Sequence, residues 1–450
     1  MSKSYLEMYQ EKLITSDGAA RLINSGDFIL YGGFLGQPHD FDKALAARKE
    51  ELFDVDIFLG SSILPPLATV ISDPSHEHFT CNSVYFSAVD RKLHDQNLIF
   101  YQPLHFSQGQ EIFRRHYYPP YTYVGQVSPM DKNGFFSFGP ANLYSFDGCI
   151  QAGRIILEVN ENLPRVPGGS EDSIHISLVD HVIEGSNTPL FELPAAPPPS
   201  KEDMAIAKYL LEEIPDRACL QLGIGSLPNL LGDYLADSDL KDLGIHTEMF
   251  VDSMIHLFDK GKITNRYKNL DRGKIAFTFS LGNKELYEFI RDNPLMASHS
   301  AEYTNDPRNI CRNDNVISIN NAIEVDLFTQ VCSESSGTRQ ISGTGGQVDF
   351  VQGAWYSQGG KSFLCINSTY TDKNGNLHSR IKPTLPLGSI VTTPRTFVDY
   401  IVTEYGIAHM KRHPSWKRAE LLIELAHPHF RDELVKEAEK MKIWRRTNKK

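Results

Sequence analysis

The stretch Gly244-Ile245-His246-Thr247-Glu248-Met249-Phe250-Val251-Asp252-Ser253 holds an acidic residue, Glu248, inside an apolar run. Read as one extended strand, it puts Ile245, Thr247, Met249 and Val251 on one side and His246, Glu248 and Phe250 on the other. A lone carboxylate in an apolar run is costly to bury. It is either a structural strand-edge group, in water or a salt bridge, or a group kept for chemistry. A glutamate is ionised at neutral pH and can attack an activated carbonyl without a general base. It is a weak nucleophile in water, so its site must be dry and rich in N–H donors.

Glycine-rich loops on both sides in sequence are candidates to supply those donors. Gly223-Ile224-Gly225 begins like a dinucleotide fingerprint, but the third glycine position is Pro228. Gly343-Thr344-Gly345 fails the same test at Val348, and Gly359-Gly360-Lys361-Ser362 lacks the first P-loop glycine, having Trp355 there. Each loop is either a tight strand-to-helix turn or a place where backbone closes on an anion. In Ile319-Asn320-Asn321-Ala322-Ile323-Glu324-Val325-Asp326-Leu327 an asparagine can donate its amide to an oxyanion, or satisfy its own turn. Glu324 and Asp326 alternate with apolar residues and are expected to face solvent or a salt bridge. His246 and His256 are read as structural, since no HxH or HExxH spacing supports a metal.

The elements that must position these groups read as α/β. Expected strands include Phe28–Tyr31, Val55–Leu59, Leu98–Tyr101, Tyr121–Val127, Arg154–Val159, Ala218–Leu222, Ile275–Phe279, Val316–Ile319, Phe363–Ile366, Ser389–Thr392 and Tyr400–Val402. Helices are expected over Leu13–Ile23, Asp42–Glu51, Ser200 to Glu213, from Leu230, Pro414–Ala426 and Phe430–Lys442, with a hairpin over 128–139. Five prolines between Pro189 and Pro199 make a stiff connector. The domains are therefore 1–187, a linker 188–200, and 201–450. Strand, Gly-rich turn, Pro and helix recur at 28–50 and 218–236, which suggests two similar open α/β halves from an old duplication.

Composition narrows the function. The 450 residues carry a net charge of −11, with 41% hydrophobic and 22% charged residues. That is globular composition for two or three domains and argues against nucleic-acid or anionic-membrane binding. The start Met1-Ser2-Lys3-Ser4-Tyr5-Leu6 has no apolar signal core, and no run is long enough to span a membrane. Cys81, Cys149, Cys219, Cys311, Cys332 and Cys365 are scattered without a CxxC pair, as in a cytoplasmic protein with reduced thiols.

Six ordered motifs are similar to those of the acetyl-CoA hydrolase/transferase family: Gly-Ile-Gly-Ser-Leu-Pro-Asn (223–229), His-Thr-Glu-Met-Phe-Val-Asp (246–252), Tyr-Thr-Asn-Asp (303–306), 319–327, Gly-Thr-Gly-Gly-Gln-Val-Asp-Phe-Val (343–351) and Val-Thr-Glu-Tyr-Gly (402–406). The stretches 128–139, 158–165 and Ile-Trp-Arg-Arg (443–446) fit as well. The likeness is greatest to butyryl-CoA:acetate and 4-hydroxybutyrate CoA-transferases. It implies two NagB/CoA-transferase-like α/β domains with the active site at their interface, and a glutamate nucleophile at Glu248. It also implies coenzyme A contacts at Gly223, Ile224, Gly225, Ser226, Leu227, Ile323 and Gly346. Oxyanion donors are expected from the loop of Gly343, Gly345 and Gly346, from near Gly353, and from Asn320. Two positions depart from the family pattern: Ser226, where glycine is frequent, and Phe328-Thr329-Gln330, where a glycine is usual at the middle position.

The expected activity is ping-pong transfer of CoA between a short-chain acyl-CoA, butyryl- or 4-hydroxybutyryl-CoA, and acetate through a glutamyl-CoA thioester. No tightly bound cofactor is expected; CoA is substrate and covalent intermediate. Partners are acyl-CoA and short-chain carboxylates, with a homodimer left open. The rivals are an acyl-CoA hydrolase of the same family and a non-catalytic CoA or sugar-phosphate sensor.

Overall fold

In the computed structural model, residues 3–115, 119–445 and 447 are described. Met1, Ser2 and Arg446, quoted above, lie outside them. The chain forms two compact units. The first is Met1–Leu193 with Glu248–Asp252 and Lys274–Thr304; the second is Pro194–Thr247, Ser253–Gly273 and Asn305–Lys450.

The first unit is built on a parallel sheet in the order Phe100–Tyr101, Phe79–Ser83, Val55–Leu59, Phe28–Tyr31, Tyr121–Val127, Arg154–Val159, His181–Glu184. Phe28–Tyr31 is buried at every position, because helices or loops cover both faces of a parallel sheet. Ile29, Tyr31, Ile57, Leu59, Val124 and Ile156 form its core with Phe41 and Leu45 of the helix His39–Ala46.

A division in chain order misses two stretches of this unit. Met249–Phe250 pairs with Phe279–Ser280, and Ile275–Phe277 with Met296–Ser298, both in parallel. Ala141 bridges Phe279 and Gly168 bridges Ser298. These backbone pairings join 248–252 and 274–304 to the N-terminal chain. Arg114 adds a fork: Nη2 lies 2.7 Å from Asp147 and Nη1 2.6 Å from Glu302.

Several local expectations change. Thr15, not Ser16, caps the short helix Ser16–Ala20, and a separate helix, Tyr5–Lys12, precedes it. The stretch 128–139 turns back on itself as expected, Ser128 N donating to Ser137 O at 3.0 Å and Asp131 N to Phe135 O at 2.9 Å, and Phe135–Ser137 also pairs antiparallel with Ser173–His175, a partner not expected. Ser389–Thr392 forms no strand: Ser389 and Ile390 spend their N–H groups on Pro386 O and Ser335 Oγ.

The second unit has the sheet order Gly244–Ile245, Cys219–Leu222, Val316–Asn321, Lys361–Cys365, Tyr400–Thr403, Gly406–His409, parallel except for the last strand. Val402–Gly406 makes the hairpin to that edge. Ser200 caps the helix Lys201–Glu213 with Asp203 completing a capping box. Among the described residues no helix is long and apolar enough to cross a membrane.

A pH prediction arises in the first sheet. Glu158 is 1% exposed and accepts N–H bonds from Phe41 at 2.8 Å, Asp40 at 3.1 Å and the Gln126 amide at 3.0 Å. Burial outweighs these donors and pushes its carboxyl up from 4.5 to about 7. A carboxyl raised on folding stabilises fully below its unfolded pKa and loses that contribution as pH rises through about 7. Glu158→Gln should therefore flatten stability against pH, gaining up to about 3 kcal/mol on wild type between pH 5 and 8. Urea unfolding of both proteins at the two pH values checks this; equal pH slopes would refute it.

Candidate functional site

The expected continuous strand around Glu248 is broken. Gly244–Ile245 belongs to one sheet, and Met249–Phe250 pairs with Phe279–Ser280. His246 and Thr247 between them are 1% and 0% exposed, so both faces of the stretch are buried rather than one. Glu248 is half-buried at the break. Its carbonyl accepts from Thr278 N at 3.0 Å and Phe279 N at 3.2 Å. Phe279 stacks on Phe34 with ring centres 4.4 Å apart and meets Phe106 edge-on. Phe34 follows the strand Phe28–Tyr31 and has φ 50°, a strained value for a non-glycine residue. An apolar aromatic wall thus adjoins the backbone of Glu248. Phe34 lies in the glycine-rich turn Gly32–Pro38 that follows the strand, whereas Phe106 carried no sequence signal beyond being aromatic.

In the second unit the strand order turns at Cys219–Leu222, flanked by Gly244–Ile245 on one side and Val316–Asn321 on the other. Ligands of open α/β sheets bind beyond the carboxyl ends of strands at such a point. There the structure brings together the Gly223–Leu227 turn and Asn320. Gly225 has φ 121°, which requires glycine. Gly223 has no such need, and a Cβ added to either would meet nothing within 4 Å. The helix Ser226–Asp237 starts from this turn with no side-chain cap, leaving N–H groups of its first turn to face an anion. Ser226 Oγ donates to Asp203 Oδ2 at 2.8 Å, which ties the turn to the helix Lys201–Glu213. Ile224 is 49% exposed, while Leu227 is buried.

Asn320 is placed differently from the expectation. Its Nδ2 donates to Gln221 Oε1 at 3.1 Å and Ser318 Oγ at 2.9 Å. Both amide hydrogens are held by neighbours, so in this arrangement Asn320 does not present them to an oxyanion. Gln221, which sequence reading passed over, is the polar residue of an otherwise apolar strand; its side chain also accepts from Ser318 Oγ at 2.8 Å.

The second glycine loop precedes the helix Gln347–Tyr356, which packs on the strands Val316–Asn321 and Lys361–Cys365. Gly346 is its N-cap, without a side-chain cap, and Gly345 has φ 53°. Buried Glu334 carries the loop: its carbonyl accepts from Ile341 and Ser342, and its carboxylate from Thr344 Oγ1. Gly343 is buried beside it. Gly353 does not belong with these. It lies inside the helix, and a Cβ there would be 2.4 Å from Ile310 Cγ2, so its glycine serves close packing. Ile323 N donates to Cys332 O at 2.9 Å.

Glu324 and Asp326 are 5% and 1% exposed, against the expectation of solvent, though Lys382 Nζ lies 3.5 Å from Glu324. Asp326 Oδ1 accepts from Phe328 N at 3.0 Å and Gln330 N at 2.9 Å, holding the turn through Thr329. Thr329 keeps φ 68°, a glycine-like conformation, with its Oγ1 buried and without a partner. Thr329→Gly should raise stability by about 1 kcal/mol, by removing left-handed strain and an unpaired hydroxyl. An unchanged or lower melting temperature would contradict this.

The six cysteines are free, and burial pushes the Cys219 thiol up to about 11. His256 Nδ1 sits 3.2 Å from Asp233.

The family model described as the acetyl-CoA hydrolase/transferase N-terminal domain matches residues 1–192, and that of the C-terminal domain residues 282–438. The chain is 48% identical to butyryl-CoA:acetate CoA-transferase of Anaerostipes caccae, over 99% of this chain and 100% of that protein. It is 40% identical to 4-hydroxybutyrate coenzyme A transferase of Clostridium kluyveri, over 96% and 99%. The crystal structure of RipA from Yersinia pestis superposes with a TM-score of 0.89 at 37% identity, covering 98% of this chain and 100% of that one.

Proposed function

The chain belongs to the acetyl-CoA hydrolase/transferase family, and from that premise we propose that it moves coenzyme A between a short-chain acyl-CoA and acetate, with Glu248 as nucleophile. The observation that carries the coenzyme A reading is Gly223. Neither its backbone angle nor its neighbours demand glycine, and its N–H-bearing turn opens onto free space at an uncapped helix start. That suits a phosphate-bearing ligand drawn against backbone. The aromatic wall of Phe34, Phe106 and Phe279 suits a small apolar acyl group, of about two to five carbons.

The proposed chemistry proceeds in two exchanges. The Glu248 carboxylate attacks the thioester carbonyl, the C–S bond breaks, and an acyl anhydride and CoA thiolate form. The thiolate attacks the glutamyl carbonyl of the anhydride, releasing the first carboxylate and leaving a glutamyl-CoA thioester. Acetate attacks that thioester, and the same two steps in reverse yield acetyl-CoA and free Glu248. Each step exchanges one activated acyl group for another, so no external energy is needed. Backbone N–H groups of the Gly343–Gly346 loop are the proposed oxyanion donors, each worth about 3 kcal/mol.

The test is exchange of labelled acetate into a panel of acyl-CoA thioesters. Butyryl-CoA should be consumed only when acetate is present. Consumption at the same rate without acetate would make the protein a hydrolase, and binding of CoA without any turnover would make it a sensor.

A further inference from the structure

Ile245 lies on the outer strand of the second unit's sheet, three residues before Glu248. Its neighbours Gly244 and His246 donate inward, to Ala218 O and Leu220 O, so the N–H and C=O of Ile245 point outward. At Leu243 that outer side is paired by backbone: Leu243 bridges Ile263, and Thr264 N and Asn265 N donate to Leu243 O. At Ile245 side chains take over. Asn265 Oδ1 accepts from Ile245 N at 2.8 Å, and Lys268 Nζ donates to Ile245 O at 2.7 Å.

Both grips carry a cost. Asn265 takes φ 54°, and Lys268 buries its ammonium to 3% exposure. Burial correspondingly lowers the Lys268 pKa. Gly244 makes room for the lysine: a Cβ there would be 2.8 Å from Lys268 Cγ. An open sheet edge satisfied by water would incur none of these costs. What the grip secures is the path of a buried chain that passes through His246 and Thr247 to Glu248.

We propose that Asn265 and Lys268 are positioning residues: by holding both polar groups of Ile245 they fix the lead-in to Glu248, and so the aim of its carboxylate. The inference rests on the reading of Glu248 as nucleophile. Misplacement of a reacting group by about 1 Å can cost about 100-fold in rate without touching ligand binding.

The experiment measures, for the full chain with butyryl-CoA and no acceptor, the rate at which the Glu248 peptide gains the mass of CoA, alongside the Kd for CoA and the melting temperature. Asn265→Leu and Lys268→Met should slow adduct formation by about 10- to 100-fold, with Kd within about twofold of wild type. Asn265→Asp, which keeps the acceptor, should recover most of the rate lost in Asn265→Leu. Gly244→Ala, a milder change that only displaces the lysine stem, should show a smaller fall of the same kind. Wild-type adduct rates in folded Asn265→Leu or Gly244→Ala would overturn the proposal. So would a loss shared equally by rate and Kd, or a failure of Asn265→Asp to recover. Absence of an adduct in wild type would instead bring down the Glu248 reading, and this inference with it.

Discussion

Glu248→Ala should lower CoA transfer by about four orders of magnitude or more, because it removes the atom that forms the covalent bond. Melting temperature and Kd for CoA should change little, since Glu248 is half-buried at a strand break rather than in the core. Glu248→Asp keeps the charge but withdraws it by one methylene; transfer should fall steeply, with some hydrolysis surviving where water enters the gap. Wild-type protein given butyryl-CoA alone should carry the mass of CoA on the Glu248 peptide. Borohydride should then inactivate it, since a thioester is reducible and a carboxylate is not. Wild-type exchange by Glu248→Ala, together with no adduct on intact mass, would return this residue to a structural role.

The second large effect is expected at Gly223. Gly223→Val should raise the Kd for CoA by about 100-fold, roughly 2.7 kcal/mol, because the branched side chain would occupy the space where a ligand meets backbone. Stability should be nearly unchanged, since a Cβ at Gly223 touches nothing and its φ is not left-handed. Calorimetric titration with CoA and a thermal melt separate the two quantities. Tight CoA binding by a folded Gly223→Val protein would remove this turn from the site. The contrast is Gly353→Val, which should lose stability first, because the added atoms would drive into Ile310.

Parallel sheets were legible because their central strands are mostly apolar runs between glycine and proline punctuation, unbroken at Phe28–Tyr31 and interrupted only by Gln221 at Cys219–Leu222. The helix from Ser200 was legible from a capping box that satisfies its own first turn. Partners far off in the chain were not legible. Phe135–Ser137 has its ladder partner at Ser173–His175, and Ser389–Thr392 looks apolar yet bonds to turns and side chains.

By itself, the sequence determined the α/β class, the two sheets and the glycine turn at 223–225, because local pattern and short-range hydrogen bonding carry that information; Glu248 stood out through the likeness of its motif to the family, not through local pattern. Three things were decided only by tertiary structure, through contacts between residues far apart in the chain. Glu248–Asp252 joins the N-terminal unit because Thr278 and Phe279 bond the Glu248 carbonyl. Gly353 is glycine because Ile310 packs onto it, and Gly223 is glycine although nothing packs there. Ile245, an unremarkable strand residue in sequence, is gripped by an asparagine and a buried lysine about twenty residues on, since an outer strand must find partners for its outward groups wherever the fold supplies them.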